Sequence, residues 1–235
     1  MIFSYSRLKY LIKQLVAPDH ELKALCGIVK RMNQCPERTA LQLECDQVFI
    51  DRMRDIPQAL KTDYWLNHFE WKEVMQYPQI GGHILDFGCG TGHLDIMLAR
   101  QGCQVFGVDG SPIGIAIADR AMRHEPPEVQ AKLTFRELDI THTNSTGLIL
   151  DSVISLHVFE HVSEPGKIIR GLRQFVRTGS YLLVSVPYGN AYDSTGHVNH
   201  FHSEADLSRF LGPHICVESV KLHNDSQVLK ALCRF

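Results

Sequence analysis

The sequence predicts an α/β fold in which a mostly parallel sheet carries helices on both faces. Three observations point there. Ile84-Leu85-Asp86-Phe87 runs directly into Gly88-Cys89-Gly90-Thr91-Gly92, and His93 to Arg100 then places Leu94, Met97 and Leu98 at helical spacing. Short apolar strands alternate with helical stretches as far as Pro187. Asp109, Asp139 and His157 stand where strands end, on the rim where open parallel sheets bind ligands.

In chain order, residues 1–79 read as a helical N-terminal extension or lid. Phe3, Leu8, Leu11, Ile12 and Leu15 recur at three-and-four spacing, Pro18 breaks the helix, and a second one runs to about Met32. Leu41 to Met53 reads as a third helix. The aromatic stretch Tyr64 to Trp71 then packs the extension onto the domain that follows, residues 80–235. Within that domain the second strand is Gln104 to Val108, ending on Asp109. Ser111 caps the next helix, with Pro112 at its first position, and the helix continues to about Arg123. Glu125 to Glu128 is expected to be loop. Further strands are expected over Leu133 to Leu138, Leu148 to Leu156 and Ser180 to Val186, with a helix after Glu164-Pro165-Gly166. Ser203 caps a last helix that Gly212-Pro213 stops. Ile215 to Leu222 and Gln227 to Phe235 form a closing hairpin.

Composition narrows the function. The 235 residues suit one full domain with a small accessory part. A net charge of −2 argues against a protein that coats nucleic acid. The seven cysteines are odd in number and lack paired zinc spacing, so they are expected as reduced thiols in a cytoplasmic protein. Arg7, Lys9 and Lys13 interrupt the apolar start, which leaves no run long enough for a transmembrane segment and no secretory signal.

The glycine turn is a cofactor site, since missing side chains let a ligand lie against the backbone. Its spacing is Gly-x-Gly-x-Gly, whereas the dinucleotide fingerprint needs Gly-x-Gly-x-x-Gly. Asp86 would also repel a phosphate, so a cofactor with an amine and no phosphate fits better. Asp109, about twenty residues past the turn, can accept both hydroxyls of a ribose.

Ile84 to Gly92 resembles motif I of the class I S-adenosylmethionine-dependent methyltransferases, and the resemblance extends over residues 80–235. It implies a Rossmann-like seven-stranded sheet with a C-terminal antiparallel strand and S-adenosyl-L-methionine as cofactor. It further implies that Asp86 lies near the methionine amine, that Asp109 holds the ribose and that Asp139 takes the adenine amino group. Gly88, Cys89, Gly90, Gly92, Gly110, Ser111, Ile140 and Leu156 would line the cofactor site.

The acceptor side is expected after the fourth and fifth strands. His157, Glu160 and His161 recur at spacings that share one face if the segment is helical. His197, His200 and His202 follow on the same rim. These residues suit a general base or a divalent metal. Glu160-His161-Val162 with Pro165 resembles the ubiquinone-biosynthesis O-methyltransferase group. The implied activity is methyl transfer to a small or medium organic molecule at oxygen, with His161 as base, His157, Glu160, His197 and His200 around it, and no metal assigned. The same residues resemble, more distantly, the metal-dependent small-RNA ribose 2′-O-methyltransferases, although His157 replaces a glutamate of that pattern and the low basic content counts against RNA. A non-catalytic binding protein of the same fold is the third alternative. A homodimer is possible, with the aromatic stretch as lid or dimer surface.

Overall fold

A computed structural model describes residues 73–143, 147–191, 196–225 and 227–235. The expected helices of residues 1–72 and the aromatic stretch Tyr64 to Trp71 lie outside the described residues, as does Tyr192.

Seven strands form one sheet in the order β3-β2-β1-β4-β5-β7-β6. They are β1 His83–Phe87, β2 Gln104–Asp109, β3 Leu133–Glu137, β4 Leu150–Leu156, β5 Val176–Pro187, β6 Cys216–His223 and β7 Val228–Arg234. β7 runs antiparallel to both of its neighbours, and every other pairing is parallel. This is the Rossmann-like class I methyltransferase architecture that the motif implied. The connecting helices are α1 His93–Arg100, α2 Pro112–Arg123, the short α3 Pro127–Gln130, α4 Pro165–Arg173 and α5 Glu204–Leu211.

Each face of the sheet has its own core. Ile84, Ile154 and Leu183 pack with Ile96, Met97 and Ala118 of α1 and α2 on one side. Leu85, Val153, Leu182 and Val184 pack with Ile169, Leu172, Leu207 and Leu211 of α4 and α5 on the other. A central strand buried on both faces must be apolar at nearly every position, which is why β1, β4 and β5 read as continuous hydrophobic runs.

Helix starts follow their caps. The Ser111 hydroxyl accepts from the Gly114 N–H at 3.1 Å, and the Ser203 hydroxyl from the Asp206 N–H at 3.1 Å. α1 differs, because Gly92 precedes it in a left-handed conformation (φ 71°) with no side-chain cap. A Cβ there would meet Phe135 Cζ at 2.7 Å and Ala118 Cβ at 2.8 Å. Gly92→Ala is therefore expected to destabilise the protein by about 2–3 kcal/mol through overpacking and backbone strain, read as a lower urea midpoint at unchanged slope.

One buried ionic group ties the segment ahead of β1 to the end of the sheet. Lys230 of β7 is 0 % exposed, and its Nζ lies 3.0 Å from Glu73 Oε2 and 3.2 Å from Ser185 Oγ. His223 Nδ1 stands 3.6 Å from Glu73 Oε1, and Tyr77 Oη is 3.3 Å from His223 Nε2. Burial pulls the His223 imidazole below its ordinary pKa, with Glu73 opposing. Burial and Glu73 both push the Tyr77 phenol up.

Candidate active site

The glycine turn leaves the sheet between β1 and β2. The N–H groups of Gly88 and Cys89 both donate to the Val108 carbonyl, at 2.8 and 3.1 Å, which pins the turn to the neighbouring strand. Gly88, Gly90 and Gly92 all have positive φ, a conformation that L side chains resist. The side chain of Val158, just past β4, occupies the place a Cβ on Gly88 would need.

Asp109 closes this turn. Its Oδ2 accepts from the Gly90 N–H at 2.9 Å and its Oδ1 from the Ser111 N–H at 2.7 Å, joining the turn to the start of α2. The carboxylate thus stands at the tip of β2 between the glycine turn and α2, and the Cβ position of Gly110 beside it is open. Asp109→Asn is expected to weaken binding of an adenosine cofactor about 10–100-fold, the worth of one charge-assisted hydrogen bond; calorimetric titration measures it.

The surroundings are acidic. Asp86 is buried on β1, and Asp95, the third residue of α1, is 0 % exposed. Burial pushes the Cys89 thiol well above its ordinary pKa, and Asp95, Asp86 and Asp109 add to the rise. Burial likewise lifts Asp95 to about 7, with Asp86 and its own backbone N–H opposing and Asp109 contributing to the rise. Three carboxyls gathered around the glycine turn favour a cation there and disfavour a phosphate. Asp95 did not emerge from the sequence as a site residue. Its signal is an acid among the apolar residues of α1, facing Gly107 in the middle of an apolar strand.

Asp139 lies two residues past β3, where the Leu138 N–H donates to the Asp109 carbonyl at 3.0 Å. Its Oδ1 accepts from the Thr141 N–H at 2.8 Å and hydroxyl at 2.6 Å, and its Oδ2 lies 2.9 Å from His142 Nδ1. Slight burial raises its pKa, but these hydrogen bonds outweigh that and hold the carboxyl below its usual range. Asp139 therefore closes its own turn, while Ile140 is buried against α4.

On the acceptor rim, Leu156 ends β4 and His157 follows with φ 56°, its N–H donating to the Ser185 carbonyl at 2.9 Å. The expected helical face does not form. His157 is left-handed, and only Phe159–His161 makes a single 3-10 turn. Phe159 fixes that turn edge-on against Phe210, which also meets Phe201, at centroid distances of 6.5 and 5.2 Å.

The loop after β5 is fastened to this turn. The Glu160 carbonyl accepts the Val198 and Asn199 N–H groups at 2.9 and 3.0 Å. The Asn199 amide donates to the Phe159 and Val162 carbonyls at 3.1 and 2.8 Å. The outcome is a cluster of Glu160, His161 and His197, whose ligating atoms lie within 4.8 Å of one another. Glu160 is 1 % exposed, its Oε2 has no hydrogen-bond partner among the described residues, and its Oε1 stands 3.5 Å from His157 Nδ1. His161 Nδ1 is 2.8 Å from the Gly196 carbonyl, so that nitrogen carries the proton and Nε2 keeps a lone pair in the neutral ring. His200 is farther out, 6.2 Å from His197 between ring centroids, beside a shallow groove with Val198 and Phe210. His157, Glu160, His161 and His197 are thus brought together, with His200 at their edge. Asn199, which holds the two loops together, carried no chemical signal in the sequence.

A seven-stranded sheet with one reversed strand and a glycine turn after its central strand β1 defines a class I methyltransferase fold. Residues 65–221 match the family model described as "Methyltransferase domain", and the chain belongs to that family. Among curated relatives, the ubiquinone biosynthesis O-methyltransferase of Azorhizobium caulinodans is 31% identical over 123 residues, covering 52% of this chain and 47% of that protein. The chain spans about half the length of the relatives it matches. Among solved structures, the glycopeptide N-methyltransferase MtfA complexed with S-adenosyl-L-methionine superposes with a TM-score of 0.58 at 14% identity, over 71% of this chain and 92% of that one. A SAM-dependent methyltransferase from Aquifex aeolicus gives 0.59 at 17% identity, over 77% and 96%. At these identities the two structures share the fold. Among the described residues, no helix is long and apolar enough to cross a membrane.

Proposed function

We propose that this chain binds S-adenosyl-L-methionine and transfers its methyl group to an oxygen of a small or medium organic acceptor, with His161 as general base. The single observation that carries the proton step is the His161 ring, held by its Nδ1–H on the Gly196 carbonyl with Nε2 left to accept a proton. When bound, the cofactor supplies a methyl carbon already activated by positive sulfur. What remains for the protein is alignment and one deprotonation. Asp109 would hold the ribose and Asp86 the amine, leaving the rim of β4 for the acceptor. There His161 takes the acceptor's hydroxyl proton, with buried Glu160 beside it. The likeness to ubiquinone-biosynthesis O-methyltransferases supports oxygen as the acceptor atom. The free thiols of Cys89, Cys103, Cys216 and Cys233 support a reducing, cytoplasmic setting.

Glu160 also supports a second reading. A buried carboxylate oxygen with no partner among the described residues, next to two imidazoles, is a donor set for a divalent cation. Glu160, His161 and His197 would hold the ion, which would supply Lewis acidity to the acceptor hydroxyl. The distant resemblance to small-RNA ribose 2′-O-methyltransferases would make the acceptor an RNA ribose, and the net charge of −2 counts against it.

Titration with S-adenosylhomocysteine followed by incubation of the protein and a deuteriomethyl-labelled cofactor with small-molecule extracts tests the proposal. Binding and a label on an acceptor oxygen are expected, with activity unaffected by chelator. Chelator-sensitive activity favours the cation. Binding without transfer to any extract leaves a non-catalytic binding protein, and no binding overturns all three.

A further inference from the structure

The Asp95 carboxyl takes no part in the function proposed above, yet the fold makes room for it. Gly107 sits beside Asp86 in the pairing of β1 with β2, and a Cβ on Gly107 would come within 3.0 Å of Asp95 Oδ1. The strand therefore omits a side chain where the carboxyl of α1 comes down, next to Asp86. The residue is 0 % exposed, and among the described residues its two oxygens find no donor beyond its own backbone N–H and Asp86.

The groups around it are acids. Asp86 faces it from β1, Asp109 from the tip of β2 and the Cys89 thiol from the glycine turn. On its own helix the His93 ring is turned to the Thr91 hydroxyl at 2.6 Å. Two adjacent carboxylates in a dry site repel, whereas one proton between them turns repulsion into a hydrogen bond.

We propose that Asp86 and Asp95 share one proton in the cofactor-free protein and release it when the sulfonium form of the cofactor binds, so that the site distinguishes methyl donor from spent product by charge. Asp95 is then a positioning residue acting through Asp86. On binding, the carboxyl O–H bond breaks and the proton passes to solvent, leaving two carboxylates, of which Asp86 would meet the donor's positive charge with Asp95 behind it. The spent thioether brings the ammonium alone, so the pair takes a proton back and the product's hold weakens. The burial that lifts Asp95 to about 7 places this exchange near neutral pH. The proposal rests on S-adenosylmethionine being the cofactor.

Calorimetry at about pH 6.5 in two buffers of different ionisation enthalpy counts the protons directly. Release of about half a proton or more per donor bound is expected, with less for S-adenosylhomocysteine. Asp95→Asn should bind both ligands without release. On the unmodified protein, donor affinity should rise about tenfold from about pH 5.5 to 7 and product affinity less, which tests the same linkage if the variant does not fold. Equal heats in both buffers, or equal release for donor and product, or release that persists in Asp95→Asn, would overturn the shared proton. Absence of binding by either ligand would instead defeat the cofactor assignment.

Discussion

Lys230→Met is expected to cost the fold about 3–5 kcal/mol, a large share of the stability of a domain this size. The lysine is 0 % exposed on β7, with its ammonium 3.0 Å from Glu73 and 3.2 Å from the Ser185 hydroxyl. Methionine fills the same volume but leaves the Glu73 carboxylate buried without its lysine, with the His223 ring still 3.6 Å away. Loss of the lysine is what makes the single change severe, because the desolvation of Glu73 is still imposed and the ammonium that offset it is gone. Glu73→Gln combined with Lys230→Met removes both charges and should recover most of the loss. Urea denaturation of the parent, the two single variants and the double variant measures this. A Lys230→Met protein within about 1 kcal/mol of the parent would mean that the pair is solvated rather than buried.

His161→Ala should lower kcat about 10²–10⁴-fold, the usual contribution of a positioned general base, while cofactor affinity stays unchanged. The separation follows from the fold. His161 belongs to the turn after β4 and touches the loop after β5, whereas the proposed cofactor contacts come from β1, β2 and the glycine turn. Added imidazole should restore part of the rate, since the deleted ring leaves a space bordered by His197, whose centroid lies 4.8 Å away. Asn199→Ala, which removes the clamp on Phe159 and Val162, should lower kcat by a smaller factor. A loss below about threefold for His161→Ala would remove it as the base.

Most of the architecture was legible because its signals are local. Ser111 and Pro112 start α2 where their capping chemistry requires, and α1 spans His93–Arg100 as the apolar spacing predicts. Glu125 to Glu128 was expected as loop, but Pro126-Pro127 leads into the short α3, because a proline at the first helical position loses no hydrogen bond. β4 begins at Leu150, leaving Leu148 and Ile149 exposed, and β5 begins earlier than expected, at Val176. Strand ends depend on a partner that the local sequence does not display.

The site was legible in type more than in geometry. The imidazoles and Glu160 were expected together, yet the left-handed His157 and the 3-10 turn replace the single helical face. Asp95 and Lys230 stayed hidden for one reason. A charge in an apolar segment reads as solvent-facing until the chain brings it against a gap or a distant counter-charge, and Gly107 and Glu73 supply these only after folding.

The reversed β7 also dictates an order of assembly. β6 is made first but meets the rest of the sheet only through β7, which is inserted between it and β5. A nascent chain halted before Val228 therefore forfeits two strands rather than one. Leu182 to Val186 of β5 would then stand as a raw, greasy flank, able to template pairing with a second unfinished chain.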